Sequence, residues 1–422
     1  MFNILRQRNF GLLWFGQLIS TIGDWVLFVA LPFYTYGLTG STLATGAMFM
    51  ASTLPRLLLG SVAGVFVDRW DRKRTMIVAD VLRGALLLLL LLVHSREQLW
   101  LIYLTAFVVA MVGQFFAPAK SAIIPRLVSQ KDLLSANSLN ALSDALTRLV
   151  GAGLGGALMG ALGFGSVVWL DAASFLFSAF MLAFITVPAA QTATAPKAGP
   201  RSPAGQWAAV WREWWAGLQL VRQQRVLFAL FVVLGVALLG DTMITVLIVP
   251  LVKTLLGGGA LQLGWLMTAQ GIGGIVGGVV AGPLGRRVSP RRLMALGLAA
   301  TALAILVLVN VPFLPVSLGL MALAGVVSMS WMISAQTLLQ MNVGDHYRGR
   351  VFGTFGAISA LMSLIGMGLA GTLGDLVGVI VIASLGGALY LTAGLLAWGM
   401  LRGTAAAPAP VARAVQAPGK AA

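Results

Sequence analysis

The sequence contains no cysteine, which excludes disulfides and thiolate metal sites. It has only two histidines, His94 and His346, both in segments that read as short loops, and glutamate occurs only at positions 97 and 213. There is no HExxH motif, no His/Asp cluster within an apolar run, and no Ser or Cys set beside an activating base, so no catalytic chemistry is visible. The absence of Gly-x-x-x-x-Gly-Lys-Ser/Thr removes ATP as the expected driver. Charge is scarce as well: charged residues make up 9% of the 422, against 59% hydrophobic. A chain so poor in charge cannot clothe a water-exposed surface.

What it does have is apolar runs, each long enough as a helix to cross the ~30 Å hydrocarbon core of a bilayer. Twelve spans are expected, near 10–36, 43–67, 75–93, 99–118, 138–163, 166–187, 226–253, 261–283, 293–311, 313–336, 351–374 and 378–401. The opening MFNILRQRNF leads straight into a full-length span, so no cleaved signal peptide is expected. The net charge of +16 is explained by topology. With both termini in the cytoplasm, 23 of the 28 Lys and Arg fall in inside segments, and only Arg96 and Lys253 fall outside. Nucleic acid is therefore not an expected partner.

Residues 1–187 and 226–401 form two six-span halves, joined by 188–225. The joining segment begins Pro/Ala-rich and continues as WAAVWREWWAGLQLVRQQ, where Trp207, Trp211, Trp214, Leu218 and Val221 share one helical face. That pattern predicts a helix lying in the headgroup layer. The tail, 402–422, is expected to be disordered. The halves repeat each other. A shift of 217 places Arg8, Gly23 and Asp24 on Arg225, Gly240 and Asp241, and a shift of 218 places Gly64 on Gly282. A shift of 215 places GAGLGG (151–156) on GMGLAG (366–371). An offset this constant marks a duplicated six-helix unit.

Ionisable residues inside spans are the candidate functional positions. Asp24 lies mid-span in LISTIGDWVLFVALP, where an ionised side chain costs roughly 2.5–3.5 kcal/mol on insertion scales. Gln17, Ser20, Thr21 and Asp24 form a polar stripe, with Trp25 beside it, and Asp241 is the repeat equivalent in span 7. A carboxyl group in a poorly hydrated cavity is suited to taking up and releasing protons. The competing reading is a polar knob that holds helices together. Arg83 has Asp80 one turn away and is expected to pair with it; Arg148 has Asp144 one turn away, and compensation by that acid is one of two open readings. Arg148 is also a candidate for attracting an anionic substrate group. Asp171 reads as structural. The glycines of spans 5, 8 and 11 are expected to let helices approach closely. Trp25, Phe28, Met329, Trp331 and Met332 are candidates for lining an apolar cavity.

Taken together, the chain resembles the major facilitator superfamily. GVFVDRWDRKR (64–74) is similar to that family's loop between helices 2 and 3, with Gly64, Asp68, Arg69, Arg72 and Lys73 matching and Asp71 in place of a second glycine. TIGDW (21–25), FFAPAKSAIIPRLVSQKDLLSANSL (115–139), WLDAASF (169–175) and HYRGRVFG (346–353) resemble its enterobactin-exporter and macrolide-efflux branch. The chain departs from the drug-antiporter pattern in lacking a buried Arg in span 4, a Gly-Pro in span 5 and an acid in GPLGRRVSPRR. The resemblance implies an all-α polytopic fold of two pseudo-symmetric six-helix bundles, with spans 1 and 7 bordering a central path. It also implies proton-driven efflux of an amphipathic small molecule by alternating access, from a monomer in the cell membrane without a cofactor. An importer or a lysophospholipid flippase of the same fold is the alternative, and a channel is the rival of another class. The loop residues Gly64, Asp68, Arg69, Arg72 and Lys73 are expected to gate the cytoplasmic side. There Asp68 meets the N-terminus of span 11 beside Arg348 and Arg350.

Overall fold

The computed structural model describes residues 2–60, 63–67, 69–187, 214–215, 217–344 and 347–402. The expectations for Asp68, for Trp207 and Trp211 and for the tail beyond 402 lie outside the described residues.

The described chain is helical throughout its long elements, as lipid requires, because only a helix or a closed barrel satisfies every backbone group without water. The elements are α1 (Arg8–Thr39), α2 (Thr42–Leu59), α3 (Arg72–Leu87, prolonged by a 3-10 turn Leu88–Leu92) and α4 (Leu99–Leu127). A long helix, Leu133–Ala183, breaks at Gly163, whose φ of 79° and ψ of 177° are not helical. Its limbs, 133–163 and 164–183, are α5 and α6. The second half holds α7 (Arg225–Leu255), α8 (Ala260–Arg287), α9 (Pro290–Asn310), α10 (Leu314–Asn342), α11 (Arg348–Val377) and α12 (Val379–Met400). Eleven of these helices are long and apolar enough to cross a membrane, and the break at Gly163 makes twelve crossings of them. Turns are set locally. Gly40, in the left-handed region at φ 66°, ends α1, and the Ser41 and Asp71 side chains cap the starts of α2 and α3.

The repeat is visible in the packing. α1 lies against α5 and α6, α2 against α4, and α3 against α4 and α6; α7 against α11 and α12, α8 against α10, and α9 against α10 and α12 follow the same plan. Side-chain chemistry repeats too. Lys73 Nζ donates to the Ala183 carbonyl at the end of α6 (2.7 Å), and Arg291 Nη1 donates to the Leu401 carbonyl at the end of α12 (3.3 Å). Both partners are displaced by 218 residues (291 − 73 and 401 − 183). A cation at a helix C-terminus is favourable by dipole and by hydrogen bonding.

The two halves meet along α2/α11 and α5/α8. Gly46 faces Gly371 and the Met367 carbonyl, and Gly156 faces Gly264 so closely that a methyl group on either would collide with backbone. Between α7 and α1, Lys253 Nζ sits 4.5 Å from the Phe33 ring centroid. These contacts lie toward the face opposite the N-terminus, here termed the far face. Toward the terminal face, a side chain at Gly282, Gly285, Gly349, Gly353 or Gly356 would meet nothing within 4 Å among the described residues. In the described part of the joining segment, Val221 is buried in the second half's core. Gly217 also abuts the first turns of α11 at Arg350 and Thr354.

Candidate functional site

Asp24 is positioned by the glycine before it. α6 passes so close to Gly23 that a Cβ there would strike Asp171 and Ser174, which fixes the rotation of α1 and aims Asp24 toward α3. Arg83 Nη2 then donates to Asp24 Oδ1 at 3.1 Å and lies 3.5 Å from Oδ2. The expected pair within α3 is the longer contact, with Arg83 Nη1 4.0 Å from Asp80 Oδ1. Arg83 therefore serves another helix before its own, and its guanidinium is held 4.0 Å over the Phe175 ring. Asp80 and Asp171 are wholly buried, yet the Asp24 side chain keeps 42% of its accessible surface deep inside the bundle. It faces a cavity of about 220 Å³ lined by Arg83, Phe28, Met48, Phe49 and Thr105 among others. The Thr105 hydroxyl has no hydrogen-bond partner among the described residues. Drug-sized ligands occupy about 300–1,000 Å³. This chamber suits a few waters, at ~30 Å³ each, better than a whole amphipathic molecule.

The polar stripe is only partly what its spacing suggested. Gln17 is buried, donating to Ser178 Oγ at 3.0 Å, and so ties α1 to α6 instead of lining the cavity. Two turns of helix, ~11 Å, separate it from Asp24, enough for the neighbouring helix to change. Trp331 is likewise buried, with its ring against Tyr390. In the second half, Gly240 packs on Gly386 and Tyr390 of α12, as Gly23 packs on α6. Asp241 Oδ1 accepts a hydrogen bond from Tyr390 Oη at 2.7 Å. Among the described residues no ion pair joins Arg148 to Asp144. Its guanidinium lies 5.0 Å from the Trp25 ring centroid and is near enough to act on Asp241 across the divide between the halves. Asp144 acts instead on Lys120 of α4.

The transmembrane secretion effector family matches residues 1–414 of the chain. The chain belongs to this family of major facilitator transporters. It is 28% identical to the MFS-type transporter YfiS of Bacillus subtilis, over 92% of both chains. It is 28% identical to the multidrug efflux pump Tap of Mycolicibacterium fortuitum, over 87% of this chain and 90% of Tap. Macrolide efflux protein A of Streptococcus pyogenes is 24% identical, over 88% and 91%. Among solved structures, the nucleoside transporter NupG superposes with a TM-score of 0.74 at 12% identity, covering 93% of this chain and all but 1% of NupG. An inward-facing bacterial homologue of ferroportin superposes with 0.73 at 16% identity, covering 94% and 98%. These two show the shared fold.

In this major facilitator transporter, Lys73 and Asp71 of the loop after α2 are engaged within their own half. Lys73, expected in the gate, is committed to the end of α6. Asp71, the departure from the family's glycine, caps α3 by accepting from the Arg74 amide at 2.7 Å. Gly64 has open space around it, Arg69 is exposed, and Arg72 begins α3. Arg348 and Arg350 head α11, where Arg350 lies 5.7 Å from the Tyr347 ring.

One interaction had not been expected. At the far face Asp375, in the last turn of α11, accepts from the Ser41 hydroxyl, from Thr42 N and Oγ1 (both 2.7 Å) and from Leu43 N (3.2 Å). It caps the N-terminus of α2 from the other half of the molecule. The sequence did carry a signal. An acid at the negative end of its own helix is badly placed unless another group receives it.

Proposed function

We propose that this transporter exports an amphipathic small molecule, driven by proton entry, with Asp24 as a proton-carrying group. The observation that carries the reading is the Asp24–Arg83 pair: a carboxylate deep in the membrane region, ion-paired at 3.1 Å, yet reachable from a cavity. A purely structural knob would be closed in, as Asp80 and Asp171 are. Protonation of Asp24 weakens its hold on Arg83, and its deprotonation restores it, so the proton state is coupled to how α1 sits against α3. Efflux as the direction, and drugs or macrolides as the class, are supported by what the named relatives carry. The cytoplasmic placement of both termini is supported by the bias of Lys and Arg. On that orientation the terminal face is the cytoplasmic one, from which a substrate for export would enter.

The test is transport in proteoliposomes under an imposed pH gradient, with ethidium and erythromycin as probes. Asp24→Asn is expected to abolish gradient-driven accumulation while leaving the protein monodisperse and correctly inserted. Accumulation equal to that of the unaltered protein would remove Asp24 from the mechanism.

A further inference from the structure

At the terminal face, between the start of α9 and the end of α12, lies a second cavity of about 270 Å³. Three arginines, Arg291, Arg292 and Arg402, line it together with Ser289 and Trp398. Arg291 ties the two helices by its bond to the Leu401 carbonyl, and the Arg402 guanidinium lies 4.8 Å from the Trp398 ring centroid. Arg292 and Arg402 are exposed, and among the described residues neither forms an ion pair. The described acids of the second half are Asp241, in mid-span, and Asp375, at the far face. Three cations are thus gathered in one small space with no acid to balance them, an arrangement that Coulomb repulsion opposes until an anion joins it. The corner also faces lipid. Leu391, Leu395 and Trp398 are exposed along one side of α12 at i, i+4 and i+7, a stripe that leads from the cavity toward mid-span. Tryptophan favours the headgroup level of a bilayer, and an acyl chain can follow the stripe below it.

The first half has the same corner with different chemistry. At the offset of 218 residues, Ser289 corresponds to Asp71, Arg292 to Arg74, Trp398 to Phe180 and Arg402 to Phe184. There Asp71 caps α3 and supplies a negative charge, and Phe180 and Phe184 pack edge to face with centroids 4.8 Å apart. The second half has lost that acid, and the Ser289 side chain does not cap α9. It has also exchanged the apolar pair for a tryptophan and an arginine. Packing does not demand these changes, because the first half builds the same corner without them. We propose that the corner between α9 and α12 binds the phosphate of an anionic phospholipid headgroup, held by Arg292 and Arg402, with the lipid's chains along the exposed stripe of α12. Guanidinium groups suit phosphate because they donate in pairs, and basic pockets between spans hold anionic headgroups in this way. The site is independent of the transported substrate and of the driving ion.

The experiment titrates the full chain in detergent with phosphatidylglycerol and, separately, with phosphatidylcholine, counting lipid adducts by native mass spectrometry. Phosphatidylglycerol is expected to bind several-fold more tightly. Each arginine removed should weaken it about fivefold, so Arg292→Gln with Arg402→Gln should lower its affinity about 25-fold, toward that of phosphatidylcholine. Both side chains are exposed, so their loss leaves no buried gap. Ser289→Asp guards against misfolding. It restores the acid found in the first half and is a good N-cap, so α9 stays formed while phosphatidylglycerol binds several-fold more weakly. Arg74→Gln, the equivalent change in the first half, should leave binding as it was. Equal affinity for the two lipids, or unaltered phosphatidylglycerol binding in both second-half variants, overturns the site. An equal loss in Arg74→Gln would show that charge anywhere on the terminal face suffices, and overturns it too. Millimolar inorganic phosphate is expected to leave the adduct in place; its displacement by phosphate alone would make the corner a site for the free anion and overturn the lipid assignment.

Discussion

Gly23, Asp24 and Arg83 show how a charge inside an apolar span is partnered and still left facing a cavity. The glycine admits α6, the aspartate is turned aside toward α3, and an arginine 59 residues away meets it. Removing one member of a buried pair strands the other, at about 3–5 kcal/mol, whereas removing both costs much less. Arg83→Ala is therefore expected to lower thermal stability in detergent sharply, and Asp24→Asn in the same chain is expected to restore part of it. The double-mutant coupling should fall within about 0.5–3 kcal/mol. Additive losses would mean that the 3.1 Å contact carries no energy. Asp24 stood out in the sequence because a lone acid in an apolar run is conspicuous. Its partner was not. Spacing along one helix displays Asp80 beside Arg83, and only the rotation of α1 against α3 shows that Asp24 is nearer. The same blindness placed Gln17 in the cavity stripe and set Asp144 beside Arg148.

At the scale of helices, the glycine-rich stretches were legible as packing surfaces, and the structure shows what each one meets. Gly151 and Gly155 of α5 receive α1, while Gly156, on another side of the same helix, receives Gly264 of α8. One short motif thus serves both a contact within a half and a contact between halves. A Cβ on Gly156 would lie 2.7 Å from the Gly264 Cα, and backbone cannot yield as a side-chain tip can. Gly156→Val is expected to pry α5 from α8 at the far face and leave α5 seated on α1. Spin labels on the far ends of those two helices would report a longer distance in the variant. Gly153→Val, which meets only the Thr268 hydroxyl, should lengthen it less. Equal distances in the two variants would show that the close approach does not hold this face shut.

At the scale of the whole molecule, α2 and α11 run antiparallel across the divide, so each face presents the N-terminus of one beside the C-terminus of the other. At the far face the structure has Asp375, from the end of α11, capping the start of α2. At the terminal face the sequence places Asp68, just past α2, to cap the start of α11. The contact expected for Asp68 would be the same device in the opposite sense, and a rocking molecule that has both can close one only by parting the other. The long apolar helices and the repeat were readable from the sequence because each is a local or periodic pattern. The Asp375 cap joins residues 333 apart and was not readable, although an acid in the last turn of α11 needed a receiver. Losing an N-cap costs about 0.5–2 kcal/mol, and 1.4 kcal/mol is a tenfold change in a two-state population. Asp375→Ala is therefore expected to raise accessibility at the far face several-fold, and Asp68→Asn to raise it at the terminal face. The double variant should return toward the starting balance. Because the chain has no cysteine of its own, single cysteines introduced near each face can be labelled without background. If Asp375→Ala and Asp68→Asn shifted labelling in the same direction, the two caps would not be opposed latches on one rocking motion, and the opening of each face would need a separate cause.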